Sequence, residues 1–194
     1  MQISLENEVL KLKFNTRGAE LYSISSKIDN VEFLWQGPST LWARGVPVLF
    51  PIIASLKDNT YYHQDKAYQL GIHGFALHEH FKVAEHSNNT VRFTLAANDR
   101  LLRIYPFAFL LEVTYQLQGS EVTMHYTVIN NDTVPLYCSI GAHPTFNCPL
   151  FADEHFNDYS LHFDKDTSLN LLKMTGPYVN SRRATIALNE NCLP

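Results

Sequence analysis

The sequence predicts an all-β protein built as an antiparallel β-sandwich, and three observations support this prediction. Apolar and polar residues alternate with a period of two along much of the chain, as they do in strands that bury one face. Turn signals that contain Gly, Asn or Asp separate these runs, which is the arrangement expected of hairpins. Helix signals are nearly absent. Many short strands divided by turns are typical of two packed antiparallel sheets.

The first predicted elements lie in the N-terminal half of the chain. Alternation of apolar and polar residues predicts strands at residues 9–14, 21–28 and 91–95. A single helical turn is expected at residues 98–102, because the side chain of Asn98 can cap its first turn. These elements are short, so loops carry a large share of the sequence between them.

The clearest predicted element is a hairpin that follows the helical turn. Residues 121–130 alternate like the run before them, and Gly119 lies at the break between the two runs. Two alternating runs joined by a short turn with Gly predict an antiparallel hairpin. A last strand is expected at residues 159–163, and with no linker or repeat in between we expect one domain over residues 1–194. The inward face predicted for the first run consists of Phe107, Phe109, Leu111, Val113, Tyr115 and Leu117.

The composition excludes several classes of function. Hydrophobic residues make up 45% of the chain and the net charge is −4, which indicates a globular protein without electrostatic attraction for nucleic acid or anionic membranes. No apolar run approaches the ~20 residues that span a bilayer, and the N-terminus lacks the pattern of a signal peptide. The cysteines Cys138, Cys148 and Cys192 form no CxxC motif. We therefore expect reduced thiols and a cytoplasmic protein.

Four segments do not read as ordinary strands. Two of them contain a histidine in an apolar setting, His73 and His143. Because Gly74 has no Cβ, we expect a ligand to approach His73 closely, and Pro144 biases His143 toward an extended backbone. Apolar and aromatic neighbours suit one face of a pyranose, and imidazoles can reach its oxygens. The segments are Gly-Val-Pro-Val-Leu-Phe-Pro-Ile-Ile-Ala-Ser-Leu-Lys at 45–57, Leu-Gly-Ile-His-Gly-Phe-Ala at 70–76, Tyr-Pro-Phe at 105–107 and Gly-Ala-His-Pro-Thr-Phe at 141–146.

In order and spacing, these segments resemble the aldose 1-epimerase (galactose mutarotase) family, specifically its bacterial galactose-mutarotase-related branch. The resemblance implies a β-sandwich of the galactose mutarotase type and an isomerase that interconverts the α and β anomers of a hexose. It also implies that His143 is the general acid at the ring oxygen and that His73 hydrogen-bonds the sugar beside that oxygen. The reaction needs no metal or organic cofactor.

The chemistry of anomer interconversion explains why such a site would use histidines. Opening a hemiacetal ring requires one proton given to the ring oxygen and one removed from the anomeric hydroxyl. An imidazole with a pKa near ~6.5 can donate a proton at neutral pH and take it back when the ring closes. Trp42 and Phe75 are further candidates for contact with the sugar.

Some positions depart from the family pattern. Ser55 stands where the family usually has an arginine that binds sugar hydroxyls, and Lys57 could substitute only without the planar guanidinium fork. Leu77 follows the His-Gly-Phe-Ala motif where many members have arginine. The missing charge argues against a phosphorylated sugar.

The resemblance also implies a further C-terminal portion that carries the catalytic glutamate base and a binding aspartate. We therefore expect a C-terminally incomplete sandwich, assign no residue to the base, and expect the chain alone to be a poor epimerase. Unpaired sheet edges favour association with a second copy or with another chain that completes the site.

Two other functions stay open at this level. A sandwich without the catalytic base could act as a non-catalytic carbohydrate-binding module. Alternatively, His78 and His80 with Glu85 mimic part of a cupin metal triad, because residues two apart on a strand share a face. The fourth ligand of a cupin has no counterpart in the sequence.

Overall fold

The computed structural model describes residues 2–38, 40–164, 168–175, 178–188 and 192–193. The chain divides into two compact units, Met1–Asn147 and Cys148–Pro194, which are described separately. The expectation of a single domain over the whole chain stays a prediction. Among the residues described, no helix has both the length and the apolar character that crossing a membrane requires.

A three-stranded antiparallel sheet opens the first unit, in the order β1-β2-β3. Asn7 forms the turn between β1 and β2, because its side-chain oxygen accepts hydrogen bonds from the backbone N–H groups of Val9 (2.9 Å) and Leu10 (2.8 Å). Burial alternates along β2, as the sequence predicts. The strands are β1 (Gln2–Glu6), β2 (Leu10–Asn15) and β3 (Glu20–Ser26).

Short elements connect this sheet to the next one. Strand β4 pairs with a later two-residue strand, Gly141–Ala142, while β5 and β6 form a small hairpin. 3₁₀ turns occupy Lys57–Asn59 and Ala76–His78. The strands are β4 (Val48–Leu49), β5 (Thr60–His63) and β6 (Lys66–Gln69).

A four-stranded antiparallel sheet in the order β10-β9-β8-β7 forms the second layer. The predicted hairpin is confirmed, since β9 pairs with β10 along its whole length and Gly119 turns between them with φ +57°. The predicted helical turn is also confirmed as α1 (Asp99–Leu102), capped by the side chain of Asn98. The strands are β7 (Lys82–His86), β8 (Thr90–Ala96), β9 (Phe109–Gln118), β10 (Glu121–Asn130) and β11 (Gly141–Ala142).

An aromatic core joins the two sheets. The ring of Phe14 on β2 lies 4.7 Å from that of Tyr115 on β9, and the Tyr115 hydroxyl donates to the carbonyl of Ala19 at 2.8 Å. All six residues of the predicted inward face are at most 2% exposed. Phe50, which is fully buried, extends this core toward the connecting segments. The all-β antiparallel architecture is therefore confirmed.

The second unit consists of two short antiparallel pairs, β12 with β15 and β13 with β14. The strand predicted at residues 159–163 is shorter in the structure, because the 3₁₀ turn Phe156–Asp158 precedes it and the Tyr159 hydroxyl bonds back toward Glu154. The strands are β12 (Leu161–His162), β13 (Ser168–Thr175), β14 (Tyr178–Ala187) and β15 (Cys192–Leu193).

Candidate functional site

Three of the predicted site residues line one cleft of about 300 Å³ in the first unit, namely Trp42, His73 and His143. The ring centroids of His73 and His143 lie 5.9 Å apart. Arg44 and His78, which the sequence analysis did not assign to a sugar site, line the same cleft. The structure thus brings together residues from distant parts of the sequence.

Backbone pairing brings the two histidine segments together. Strand β11 pairs with β4, with Gly141 opposite Leu49, and His143 follows β11 directly. An isolated β-bridge between Phe50 and Gly74 places the segment that contains His73 beside the residue that follows β4. Both histidines are therefore positioned by the buried segment around β4.

Reciprocal hydrogen bonds with Ala54 fix the ring of His73. The backbone N–H of His73 donates to the carbonyl of Ala54 at 2.8 Å, and the backbone N–H of Ala54 donates to Nδ1 of His73 at 3.0 Å. Because Nδ1 accepts this bond, the neutral ring carries its proton on Nε2. His73 therefore offers an N–H donor to the cleft.

The local backbone of His73 is unusual. His73 has φ +64° and Gly74 has φ +74°, so two consecutive residues are in the left-handed region, which is unfavourable for a residue with a side chain. Such a conformation persists only where surrounding contacts enforce it, and the two bonds with Ala54 are such contacts.

The surroundings of His73 favour its neutral form. Burial lowers the pKa of His73, and the proximity of His143 lowers it further. Protonation of Nδ1 would also remove the bond from Ala54. Because the unfolded chain takes up the proton at a higher pH, this contribution to stability is present above about pH 6.5 and is lost as pH falls through the lowered pKa of the folded state.

We therefore expect His73 to titrate below the ordinary histidine value of 6.5. In ¹⁵N NMR spectra of the imidazoles at pH 7, His73 should show an unprotonated Nδ1 and a protonated Nε2. His125, exposed on β10, is the reference ring in the same spectra. A titration midpoint at or above 6.5, or a proton on Nδ1, would contradict the assignment.

Gly74 has a different role from the one predicted. A Cβ at this position would lie 2.4 Å from the carbonyl oxygen of Phe50 and 2.7 Å from Cδ of Pro51. The place of the missing Cβ is thus filled by the backbone of Phe50 and the ring of Pro51 and is not available to a ligand. The expectation that Gly74 opens room for a sugar is wrong, because the close neighbour comes from a segment distant in sequence.

Trp42 packs against His143 in the wall of the cleft. The two ring centroids lie 5.1 Å apart with an interplanar angle of 32°. His143 itself is exposed, which leaves its ring accessible. The indole N–H of Trp42 is buried without a hydrogen-bond partner among the described residues, while its backbone carbonyl accepts from the indole of Trp35.

The structure does not bring the other predicted residues to this cleft. Phe75 is 5% exposed and belongs to the core, where its ring lies 5.8 Å from those of Phe50 and Tyr105. Ser55 is half-buried and Lys57 is exposed in a 3₁₀ turn. Neither Ser55 nor Lys57 is part of the cleft wall in the described chain. Their predicted contacts with a sugar stay predictions.

The structural premise of the cupin alternative is wrong. His78 ends the 3₁₀ turn Ala76–His78 and does not lie on a strand with His80, so the shared face expected for the pair does not form. Nδ1 of His78 faces Arg44 at 3.4 Å, and Glu85 forms an ion pair with Arg92. The described residues contain no cluster of three metal-ligating side chains.

A larger cavity of about 480 Å³ lies elsewhere in the first unit, and its lining is mostly aromatic and apolar but includes His63, Cys138 and Ser139. Its described lining contains neither His73 nor His143 and no Asp, Glu, Lys or Arg. The smaller cleft brings together three imidazoles, those of His73, His78 and His143, whereas the described lining of the larger cavity has one, that of His63. Because catalysis of proton transfer depends on titratable groups more than on volume, we place the candidate site in the smaller cleft.

Comparisons with known proteins give consistent results. The sequence matches the aldose 1-epimerase family model over residues 1–188. It is 39% identical over 181 residues to the chromosomal protein LacX of Lactococcus lactis subsp. lactis, a match that covers 89% of this chain and 60% of LacX. The chain therefore spans less than two thirds of the length of that relative.

Solved structures resemble the chain closely as well. A galactose mutarotase related enzyme from Lactobacillus acidophilus matches with a TM-score of 0.91 and 30% identity, over 97% of this chain and 65% of that chain. A galactose mutarotase-like protein from Lactobacillus casei matches with a TM-score of 0.89 and 34% identity, over 100% of this chain and 67% of that chain.

Proposed function

The chain belongs to the aldose 1-epimerase family, and from this we propose that it interconverts the α and β anomers of a hexose by acid/base catalysis. Its fold is the galactose mutarotase type predicted from the sequence. The observation that carries the proposal is the pair of imidazoles on one cleft, with 5.9 Å between the rings of His73 and His143.

In the proposed reaction, the two histidines have different tasks. Protonated His143 gives its proton to the ring oxygen while the bond between that oxygen and the anomeric carbon breaks. The anomeric hydroxyl loses its proton to a base, which leaves an open-chain aldehyde. Rotation about the bond from C1 to C2 and the reverse proton transfers then form the other anomer. An acid held within hydrogen-bond reach of the ring oxygen lowers the barrier to this step.

His73 supports the reaction as a neutral donor. Its Nδ1 is occupied by the N–H of Ala54, so its Nε2–H can donate to the sugar beside the ring oxygen. Burial and the neighbouring His143 lower the pKa of His73, which keeps the ring in this donor state. Trp42 offers an aromatic face beside His143, and such faces suit the apolar side of a pyranose.

A second candidate function is sugar binding without catalysis. The side chains that line the described cleft include no Asp or Glu, so we assign none of them as the base that takes the anomeric proton. A chain that holds the sugar and leaves its anomers unchanged is the binding module considered from the sequence.

Exchange NMR with D-galactose and D-glucose separates these candidates. We expect the protein to accelerate exchange between the α and β signals above the spontaneous rate, and the sugar to shift the ring signals of His73 and His143. Shifted histidine signals without faster exchange would favour the binding module. Unchanged histidine signals at high sugar concentration would contradict both candidates.

We propose a cytoplasmic location for this activity. Cys138 and Cys148 are free and exposed, as thiols commonly are in a reducing compartment. The side chain of Cys192 lies outside the described residues. Association with a second copy or another chain stays a prediction.

A further inference from the structure

Arg44 is the only Lys or Arg side chain in the described wall of the cleft. It lies in the loop between β3 and β4, and 21% of its side chain is exposed. An arginine in a sugar cleft can donate several hydrogen bonds in a fixed plane. Its contacts decide whether those donors are available to a ligand.

The loop holds Arg44 against strand β3. The backbone N–H of Gly45 donates to Oε1 of Glu20 at 2.8 Å, and Glu20 is 6% exposed. A Cβ at Gly45 would lie 2.5 Å from the carbonyl oxygen of Leu21. The chain at Arg44 therefore approaches β3 so closely that the start of its side chain has little freedom.

Three contacts then fix the guanidinium group. Nη1 donates to Oε2 of Glu20 at 3.3 Å and to the carbonyl of Leu77 at 3.1 Å. Nη2 faces Nδ1 of His78 at 3.4 Å. A guanidinium has five N–H donors, so the second N–H of Nη2 and the N–H of Nε have no partner among the described residues. The group is held in place with part of its donor capacity unused.

Arg44 also determines the state of His78. Arginine cannot accept a hydrogen bond, so Nδ1 of His78 is the acceptor and its proton lies on Nε2. Burial lowers the pKa of His78, and the charges of Arg44 and Arg17 lower it further. Arg44, His73 and His78 line the cleft together, and the described lining of the cleft has no carboxylate. Such a wall complements the lone pairs of hydroxyl oxygens. Arg44 also lines a neighbouring cavity of about 220 Å³, where Glu20 is its partner.

We propose that Arg44 is a sugar-binding residue whose unused N–H groups donate to hydroxyl oxygens of a neutral hexose. Glu20 and the Leu77 carbonyl are the groups that position it. Arg44 would then bind the sugar hydroxyls for which Ser55 and Lys57 are the candidates from the sequence. This inference rests on the proposed function, because it takes the cleft to be the sugar site.

The test compares affinities for D-galactose and its 2-, 3-, 4- and 6-deoxy analogues, measured by the shifts of the histidine ring signals. Arg44→Gln should raise the Kd for galactose about tenfold for each charge-assisted hydrogen bond lost. For the analogue without the contacted hydroxyl, the same substitution should change the Kd little. Arg44→Lys keeps the charge and loses the planar fork, so its Kd for galactose should lie between those of the wild type and of Arg44→Gln.

Arg103→Gln is the matched control, because Arg103 is exposed at the end of α1, outside the described wall of the cleft. It should leave every Kd unchanged. An equal loss of affinity for all five sugars would show a merely structural effect and overturn the inference, as would an unchanged Kd in Arg44→Gln. A wild-type protein whose histidine signals do not respond to galactose would overturn the proposed function itself, which distinguishes the two failures.

Discussion

The His143→Ala variant should lose about 10²–10⁴-fold of the acceleration of anomer exchange, or fall to the spontaneous rate if that is reached first. His143 is the group proposed to protonate the ring oxygen, and alanine has no proton to give. The side chain is exposed, so its removal should change the free energy of unfolding by no more than about 0.5 kcal/mol. Exchange NMR with galactose measures the rate, and urea denaturation checks the fold.

Two further variants make this result specific. His143→Gln keeps a polar side chain beside Trp42 but cannot act as an acid, and it should be as inactive as the alanine variant. His125→Ala removes an exposed histidine on β10 and should leave the rate unchanged. Anomer exchange at the wild-type rate in both His143 variants would exclude this residue as the acid.

The Gly74→Ala variant should be less stable than the wild type by about 2–5 kcal/mol. The left-handed backbone of Gly74, with φ +74°, costs a residue with a side chain roughly 1–2 kcal/mol. A new methyl group 2.4 Å from the carbonyl oxygen of Phe50 adds about 1–3 kcal/mol of overpacking. Urea denaturation with comparable m-values measures the difference.

Two other glycines separate these contributions. Gly119 has φ +57°, and a Cβ added there would meet nothing within 4 Å, so Gly119→Ala reports the backbone contribution alone, about 1–2 kcal/mol. Gly71 has no positive φ, and a Cβ added there would meet nothing within 4 Å, so Gly71→Ala should change stability by less than about 0.5 kcal/mol. Equal stability of the Gly74 and Gly71 variants would show that the contact with Phe50 is unimportant.

Local sequence patterns are sufficient to predict the strands of the sheets and the segments that contain His73 and His143. Alternation sets which face of a strand is buried, and the residues predicted inward on β9 are buried in the core. The segments that contain His73 and His143 were found because each motif is continuous in sequence. The two histidines lie close together because both segments pair with β4 or with Phe50, the residue after it.

Features that depend on contacts between distant segments could not be predicted. Arg44 directly precedes the segment at 45–57 without being part of it, and its place in the cleft depends on Glu20, which lies 24 residues away. Gly74 looked open because sequence alone does not show Phe50 beside it. The spacing of His78 and His80 fits a strand, but that spacing does not distinguish a strand from a 3₁₀ turn. Phe75 was one of many aromatics, and packing alone assigns it to the core.

The bond from Ala54 to His73 has a consequence for the chemical selectivity of the cleft. Because the backbone N–H of Ala54 and the guanidinium of Arg44 occupy Nδ1 of His73 and of His78, both neutral rings carry their proton on Nε2 and can act as donors to a molecule that enters the cleft. We expect a ligand that offers hydrogen-bond acceptors to these rings to bind more tightly than one that offers donors. We therefore expect selectivity in this cleft to follow the direction of hydrogen bonding, which the backbone of Ala54 and the side chain of Arg44 set before any ligand binds.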